Sequence, residues 1–152
     1  MPSGIILSTG NLNQFSDPQA TFNSTDLGLA GDPDLNALVA PVLTDDAIVL
    51  EFDFRCASDS VEFEFLFSSE EYNEYANSTF TDVFGFFVTG PGFAPNTNVA
   101  LIPGTTTPIS INTINNGNAA GTSTGPCLNC AIMSTMLTPM LFHLVMMDLL
   151  FQ

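Results

Sequence analysis

Two neighbouring segments of the chain alternate between apolar and polar residues, and this pattern constrains the fold more than any other feature. Residues 46–56 read DAIVLEFDFRC, and residues 60–69 read SVEFEFLFSS. Successive side chains of a β-strand point to opposite faces, so a period of two predicts a strand with one apolar face. The inward-facing residues predicted for the second strand are Val61, Phe63, Phe65 and Phe67.

Further short apolar runs, separated by Gly, Pro and Asn, indicate more strands. They cover residues 4–10, 81–90, 98–104 and 108–114. Short strands between turn residues are typical of all-β proteins. We therefore predict an antiparallel β-sandwich that is jelly-roll-like and incomplete.

Two local features add to this pattern. Residues near 34–40 predict one short helical turn, which Asp34 would cap and Pro41 would end. Gly85 lies between two phenylalanines in a predicted strand. Its missing side chain predicts a bulge or the close approach of another backbone.

The charge balance excludes several classes of partner. The chain has 16 acidic residues against one basic residue, Arg55, and its formal net charge is -15. Binding to nucleic acid or to an anionic membrane needs Lys and Arg, so we predict neither. The apolar tail is interrupted by Pro139, His143 and Asp148, and it predicts no stable membrane span.

The cysteines indicate a structural role rather than a metal site. Cys127 and Cys130 have C-x-x-C spacing, but no second pair of Cys or His residues completes a zinc site. This pair therefore predicts structural thiols or a disulfide. Cys56 is the third cysteine.

The sequence offers little for catalysis. The one histidine lies in the tail, no G-x-S-x-G motif is present, and the chain has no lysine for a phosphate loop. Two carboxylates such as Glu70 and Glu71 could serve a glycosidase. Neighbours on a strand point to opposite faces, however, and the chain has no tryptophan to stack on a sugar. We therefore predict no enzyme, with a carboxylate-dependent glycan hydrolase as the alternative.

A calcium site is a better use of these carboxylates. Fifteen of the 16 acidic residues lie between Asp17 and Asp82, and calcium takes oxygen ligands from carboxylates, amides and carbonyls. The spacing is not that of an EF-hand, so a solvated acidic loop is the competing interpretation. The candidate calcium ligands are Glu70, Glu71, Asp82, Glu74, Asp32 and Asp34.

Several stretches follow one another between Gly4 and about Cys130, and the one that contains SEEY, DVFGFF and GPG is distinctive. They are IILSTG, GDPDLNALV, DAIVLEFDF, FLFSSEEYNEYANSTFTDVFGFFVTGPG and NVALIPGTTTPISINTINNG. In this order they resemble the choice-of-anchor L domain, a module of bacterial secreted and surface proteins. The resemblance implies an extracellular β-rich module whose anchor is supplied by the parent protein. It implies no catalytic activity and brings no active-site motif.

The resemblance stops where the composition of the chain changes. The segment from Ala131 onward holds five of the six methionines. In a shifted frame the codons of 146–148 encode Asp-Gly, as the resemblance implies for the continuation of the domain. We therefore predict a partial domain at 1–131, truncated at both ends, and a frameshifted tail at 132–152. A genuine amphipathic or membrane-touching tail is the alternative.

These observations favour a non-catalytic extracellular or cell-surface module of adhesion type within a larger bacterial protein. Its partner would be a surface, a glycan or a protein of unknown identity. Calcium is the one cofactor predicted. The alternative from another class of function is a purely structural spacer. Such a domain would bind no surface or glycan, and this property distinguishes it from a binding module.

Overall fold

The strands and helices follow one another with many irregular connections. The structure is a computed structural model, and it describes residues 4–14, 25–55, 60–69, 75–117, 125–133 and 141–150. Its elements are a 3-10 helix Leu12–Gln14, helix α1 Pro33–Val39, strands β1 Ser60–Ser68, β2 Val83–Phe84, β3 Phe87–Gly90, β4 Phe93–Asn98 and β5 Ile109–Ser110, a 3-10 helix Cys130–Ile132 and strand β6 Leu141–Leu150.

All strand pairs in the described residues are antiparallel and form two-stranded sheets. Strand β1 pairs with β6, β2 with β5, and β3 with β4. Pro91 and Gly92 connect β3 to β4, and Gly92 has a φ of 86°, a left-handed conformation that favours glycine. The all-β class with a single short helix is therefore confirmed. The assembly of these sheets into a jelly-roll-like sandwich stays a prediction.

The core lies between β1, β2 and the chain that follows β4. Its buried residues are Ala100, Ile102, Ile109 and Ile114, and partly buried rings of β1 and β2 pack against them. The rings of Phe65 and Phe84 stack with their centroids 4.5 Å apart. Stacked rings bury large apolar areas, so this contact joins the two sheets. It also confirms the inward orientation predicted for the phenylalanines of β1.

The N-cap of helix α1 lies two residues before the residue that the sequence predicted. Asp32, not Asp34, is the N-cap residue, and its Oδ1 accepts hydrogen bonds from the backbone N of Asp34 at 2.9 Å and of Leu35 at 3.0 Å. Pro33 at the first helical position suits this cap, because the helix start leaves that N–H unpaired anyway. The helix ends at Val39, before Pro41, as predicted.

Gly85 separates β2 from β3 at a crowded position. A Cβ there would lie 2.6 Å from Cε2 of Phe87 and 3.1 Å from Cδ2 of Leu35. The predicted close approach is therefore present, although side chains make it rather than another backbone. In the next residue, Phe86, the backbone N donates to Oδ1 of Asn98 at 3.0 Å.

Three predicted strands are absent or nearly so, and a fourth is shortened. Residues 4–10 and 46–55 are irregular, the strand predicted at 98–104 shares only residue 98 with β4, and the one at 108–114 is limited to 109–110. Pairing explains the missing strand at 46–55. The backbone N of Ala47 donates to the carbonyl of Ala30 at 3.2 Å, but residues 48–53 make no backbone hydrogen bond to a described residue. Periodicity alone does not supply a partner strand.

Strand β6 lies in the apolar tail, where the sequence analysis placed no strand. Its backbone pairs with β1 from Ser60 opposite Leu150 to Ser68 opposite Leu141. Main-chain pairing of this kind is available to any apolar segment of suitable length. It therefore tests neither interpretation of the tail, and the frameshift stays a prediction.

Candidate functional site

Asp82 is the last acid of the acidic part of the chain and stands directly before strand β2. Its Oδ2 accepts a hydrogen bond from the hydroxyl of Ser69, which directly follows β1. The backbone carbonyl of Asp82 also accepts from the N of Ile111 at 3.1 Å. These contacts hold the carboxylate at the adjoining ends of two strands.

Burial controls the ionisation of this carboxyl. Removal from water raises the pKa of Asp82 above its ordinary value, because the charged form loses hydration. The hydrogen bond from Ser69 lowers the pKa by less. Asp82 is thus a half-buried acid whose negative charge is poorly compensated by its described neighbours.

The residue before Asp82 carries an unpaired polar atom. The hydroxyl of Thr81 is buried and makes no hydrogen bond within the described residues. An unpaired buried hydroxyl costs about 1–3 kcal/mol. Ser69, Thr81 and Asp82 therefore bring three oxygen-bearing side chains to neighbouring positions at one end of β1 and β2.

The acids at the start of α1 have structural partners. Asp32 caps the helix, as described above, and both carboxylate oxygens of Asp34 accept hydrogen bonds from Nδ2 of Asn96, at 3.3 and 3.2 Å. Asn96 lies in β4, so Asp34 ties the helix to the β3–β4 hairpin. Neither acid needs a metal ion to explain its position.

The remaining predicted ligands are not part of this geometry. Glu70, Glu71 and Glu74 lie outside the described residues. Within the described part of the chain, no three His, Cys, Asp or Glu side chains are grouped closely enough to hold a metal ion. The structure therefore does not test the calcium set as a whole.

The sequence analysis missed a network of asparagines beside this site. Asn112 accepts from the backbone N of Asn77 at 2.7 Å and donates to the carbonyl of Ser78 at 3.0 Å. The fully buried Asn115 donates to the carbonyl of Ile111 at 3.0 Å and accepts from the N of Gly117 at 2.9 Å. The network fixes the loop before Asp82 against the loop after β5. The asparagines of the sequence indicated turns, but the sequence did not indicate that these turns contact one another.

A disulfide closes the same region. Cys127 and Cys130 form a disulfide, with their Cα atoms 5.8 Å apart. Of the two predicted states, free structural thiols or a disulfide, the structure has the disulfide. Leu128 and Asn115 exchange backbone hydrogen bonds of 3.0 and 2.9 Å. The disulfide therefore braces the turn that packs on the asparagine network. Cys56 lies outside the described residues.

The sequence analysis also missed a cleft of about 370 Å³. Its walls are one irregular segment and the end of β3 with its turn: Phe52, Asp53, Phe54, Arg55, Val88, Thr89, Gly90 and Pro91. Arg55, the single basic residue of the chain, is exposed and makes no ion pair with a described acid. The signal for this cleft was the alternating segment 46–56, which the sequence analysis assigned to a strand.

The comparisons with known proteins place these features in a family. The model of the Choice-of-anchor L domain family matches residues 1–136. The chain belongs to this family. No curated protein and no solved structure matches it.

The match covers both regions of interest in this Choice-of-anchor L domain. Asp82 with its oxygen-bearing neighbours and the cleft beside Arg55 lie inside residues 1–136, while β6 lies beyond them. Membership indicates a surface or extracellular setting in bacteria. Among the described residues, no helix combines the length and the apolar character needed to cross a bilayer.

Proposed function

We propose that this Choice-of-anchor L domain is a non-catalytic binding module that attaches a larger bacterial protein to a surface outside the cell. The family match over residues 1–136 carries the proposal. The net charge of -15 is consistent with it, because such a charge keeps a domain with many exposed apolar side chains soluble.

The exposed cleft supports binding over a spacer role. Phe52 is 50 % exposed and Phe54 is 40 % exposed, side by side at a ring-centroid distance of 6.0 Å. Exposed aromatic side chains beside a cleft are typical of interaction sites, because they lose unfavourable contact with water on binding. A domain that only separates other domains has no need of such a surface.

Retention and turnover measured together test the proposal. The labelled full chain is incubated with insoluble polysaccharides and with protein-coated beads, and both bound protein and released soluble product are measured. We expect retention on at least one surface without product. Phe52→Ser should weaken retention, while Phe80→Ser, which alters a somewhat more exposed ring elsewhere, should not.

The same assay separates the two alternatives. A structural spacer would be retained on no surface and would release no product. A glycan hydrolase would release soluble sugars, and Glu71→Gln would abolish that release. Either result would overturn the proposed binding function.

We also propose calcium as the cofactor of this domain, with Glu70, Glu71, Glu74 and Asp82 as its ligands. The half-buried carboxylate of Asp82 supports this proposal, because it lies beside the hydroxyl of Ser69 and follows a residue with an unpaired hydroxyl. A divalent cation would supply the charge compensation that the described neighbours of Asp82 do not provide. Asp32 and Asp34 are left out of the proposed set because they have structural partners.

A further inference from the structure

Residues 48–53 form an irregular segment whose sequence alternates as a β-strand does and whose backbone is unpaired among the described residues. Apolar and acidic side chains alternate along it from Leu50 to Asp53, yet its backbone N–H and C=O groups make no hydrogen bond to a described residue. Unpaired backbone N–H and C=O groups in a segment that becomes extended are a template for another strand. Residues 48–53 are therefore available to pair with an added strand.

The side chains of this segment are open to solvent as well. Ile48 is 46 % exposed, Val49 is 64 % exposed and Leu50 is 50 % exposed. At its end the segment joins the cleft beside Phe52, which has room for a large apolar side chain. A strand laid along 48–53 would cover apolar surface and place one of its own side chains in the cleft.

Charge decides what kind of strand fits. When the segment pairs as a strand, the spacing of Glu51 and Asp53 puts both on one face, and a partner residue directly opposite an acid is favourable when it is basic. A second copy of this chain has no lysine and a single arginine, and two copies of charge -15 repel each other. The occupant is therefore a different protein segment.

We infer that residues 48–53 bind an extended segment of a partner protein in which apolar residues alternate with Lys or Arg. The bound segment pairs with residues 48–53 as a β-strand, with backbone hydrogen bonds supplying affinity and its basic side chains facing Glu51 and Asp53. This inference deepens the proposed binding function and rests on it.

Three capped peptides of equal length test the inference by titration calorimetry at physiological salt. One alternates valine and lysine, a second has the same charge but a central proline, and a third alternates valine and glutamate. We expect the first to bind and the second to bind at least about tenfold more weakly, because proline removes a backbone donor and breaks strand geometry. The third should not bind.

Hydrogen exchange locates the bound peptide on the chain. The valine–lysine peptide should slow amide exchange at residues 48–53 and leave exchange at β4 unchanged. Equal affinities for the first two peptides would mean that charge attraction alone holds the peptide, and this result would overturn the inference. Protection of 48–53 without peptide, growing with protein concentration, would identify a second copy as the occupant and would overturn it too.

Matched variants complete the test. Leu50→Pro should abolish peptide binding without lowering the melting temperature, because the backbone of 48–53 has no described partner to lose. Glu51→Lys should weaken binding of the valine–lysine peptide and allow binding of the valine–glutamate peptide. Asp45→Asn, which alters another exposed acid, should change the affinity for neither peptide. Unchanged peptide preference in Glu51→Lys would contradict the inference. Surface retention is measured without peptide, so a failed titration leaves the broader proposal standing.

Discussion

At the scale of single residues, burial of Asp82 sets how its carboxyl contributes to stability. Because burial raises its pKa, the folded chain holds the proton more tightly than the unfolded chain does. The stabilising contribution of the protonated form is therefore present at pH values below the ordinary value of 3.8. It is lost as the pH rises through the raised pKa of the folded state.

Asp82→Asn should increase the free energy of unfolding at neutral pH by on the order of 1 kcal/mol in the absence of divalent ions. The amide has the shape of the carboxylate and still accepts from Ser69, but it carries no charge that burial penalises. Urea denaturation across a pH series measures the effect. The gain should vanish in acid, where wild-type Asp82 is protonated, and Asp45→Asn should show no gain. A variant less stable than wild type at neutral pH would contradict this account.

Calcium should reverse the sign of that substitution. An ion bound only by the folded chain stabilises it by about 2.7 kcal/mol at a hundredfold excess over its dissociation constant. Millimolar calcium should therefore raise the melting temperature, and magnesium, which resists dehydration, should raise it less. Glu70→Gln combined with Asp82→Asn should remove most of the difference.

Sodium chloride at matched ionic strength is the control for calcium, because screening alone stabilises a chain of charge -15. Equal melting temperatures in calcium and in the sodium control would mean that the acids form a solvated surface. The melting curves are measured by circular dichroism, so the result does not depend on any binding partner.

At the scale of elements, Gly85 joins helix α1 to the β2–β3 connection. Gly85→Ala should lower the free energy of unfolding by about 1–3 kcal/mol, because the new methyl group would overlap the Phe87 ring and crowd Leu35. Gly90→Ala is the matched control, since a Cβ at Gly90 meets nothing within 4 Å. Chemical denaturation of both variants measures the difference. Equal stabilities would show that the helix does not pack against this connection.

At the scale of the whole molecule, stability depends on a small core after β4. Ile114 is fully buried, whereas Ile48 is 46 % exposed. Ile114→Ala should cost about 2–5 kcal/mol, since it leaves a cavity. Ile48→Ala should cost less than about 0.5 kcal/mol, as an exposed substitution does. Thermal unfolding of both variants measures the contrast, and comparable losses would place the core elsewhere.

The sequence by itself determined the features that depend on nearest neighbours along the chain. Alternation in 60–69 predicted β1 and its inward phenylalanines, and proline placement predicted where α1 ends. The stretch around Gly85, with its flanking motifs, predicted the family, and the missing side chain of Gly85 predicted a close approach there, although side chains make it rather than a backbone. Local periodicity and steric limits act over a few residues, so they can be read without knowing the fold.

Only the tertiary structure decided which segments find partners. Residues 46–55 alternate as β1 does, but β1 pairs with a segment of the apolar tail and 48–53 pairs with none that the structure describes. Likewise Asp34 meets Asn96, 62 positions away, and Asp82 becomes half-buried between Ser69 and the loop after β5. Pairing and burial depend on contacts between distant parts of the chain, and a pattern along the sequence carries no record of them.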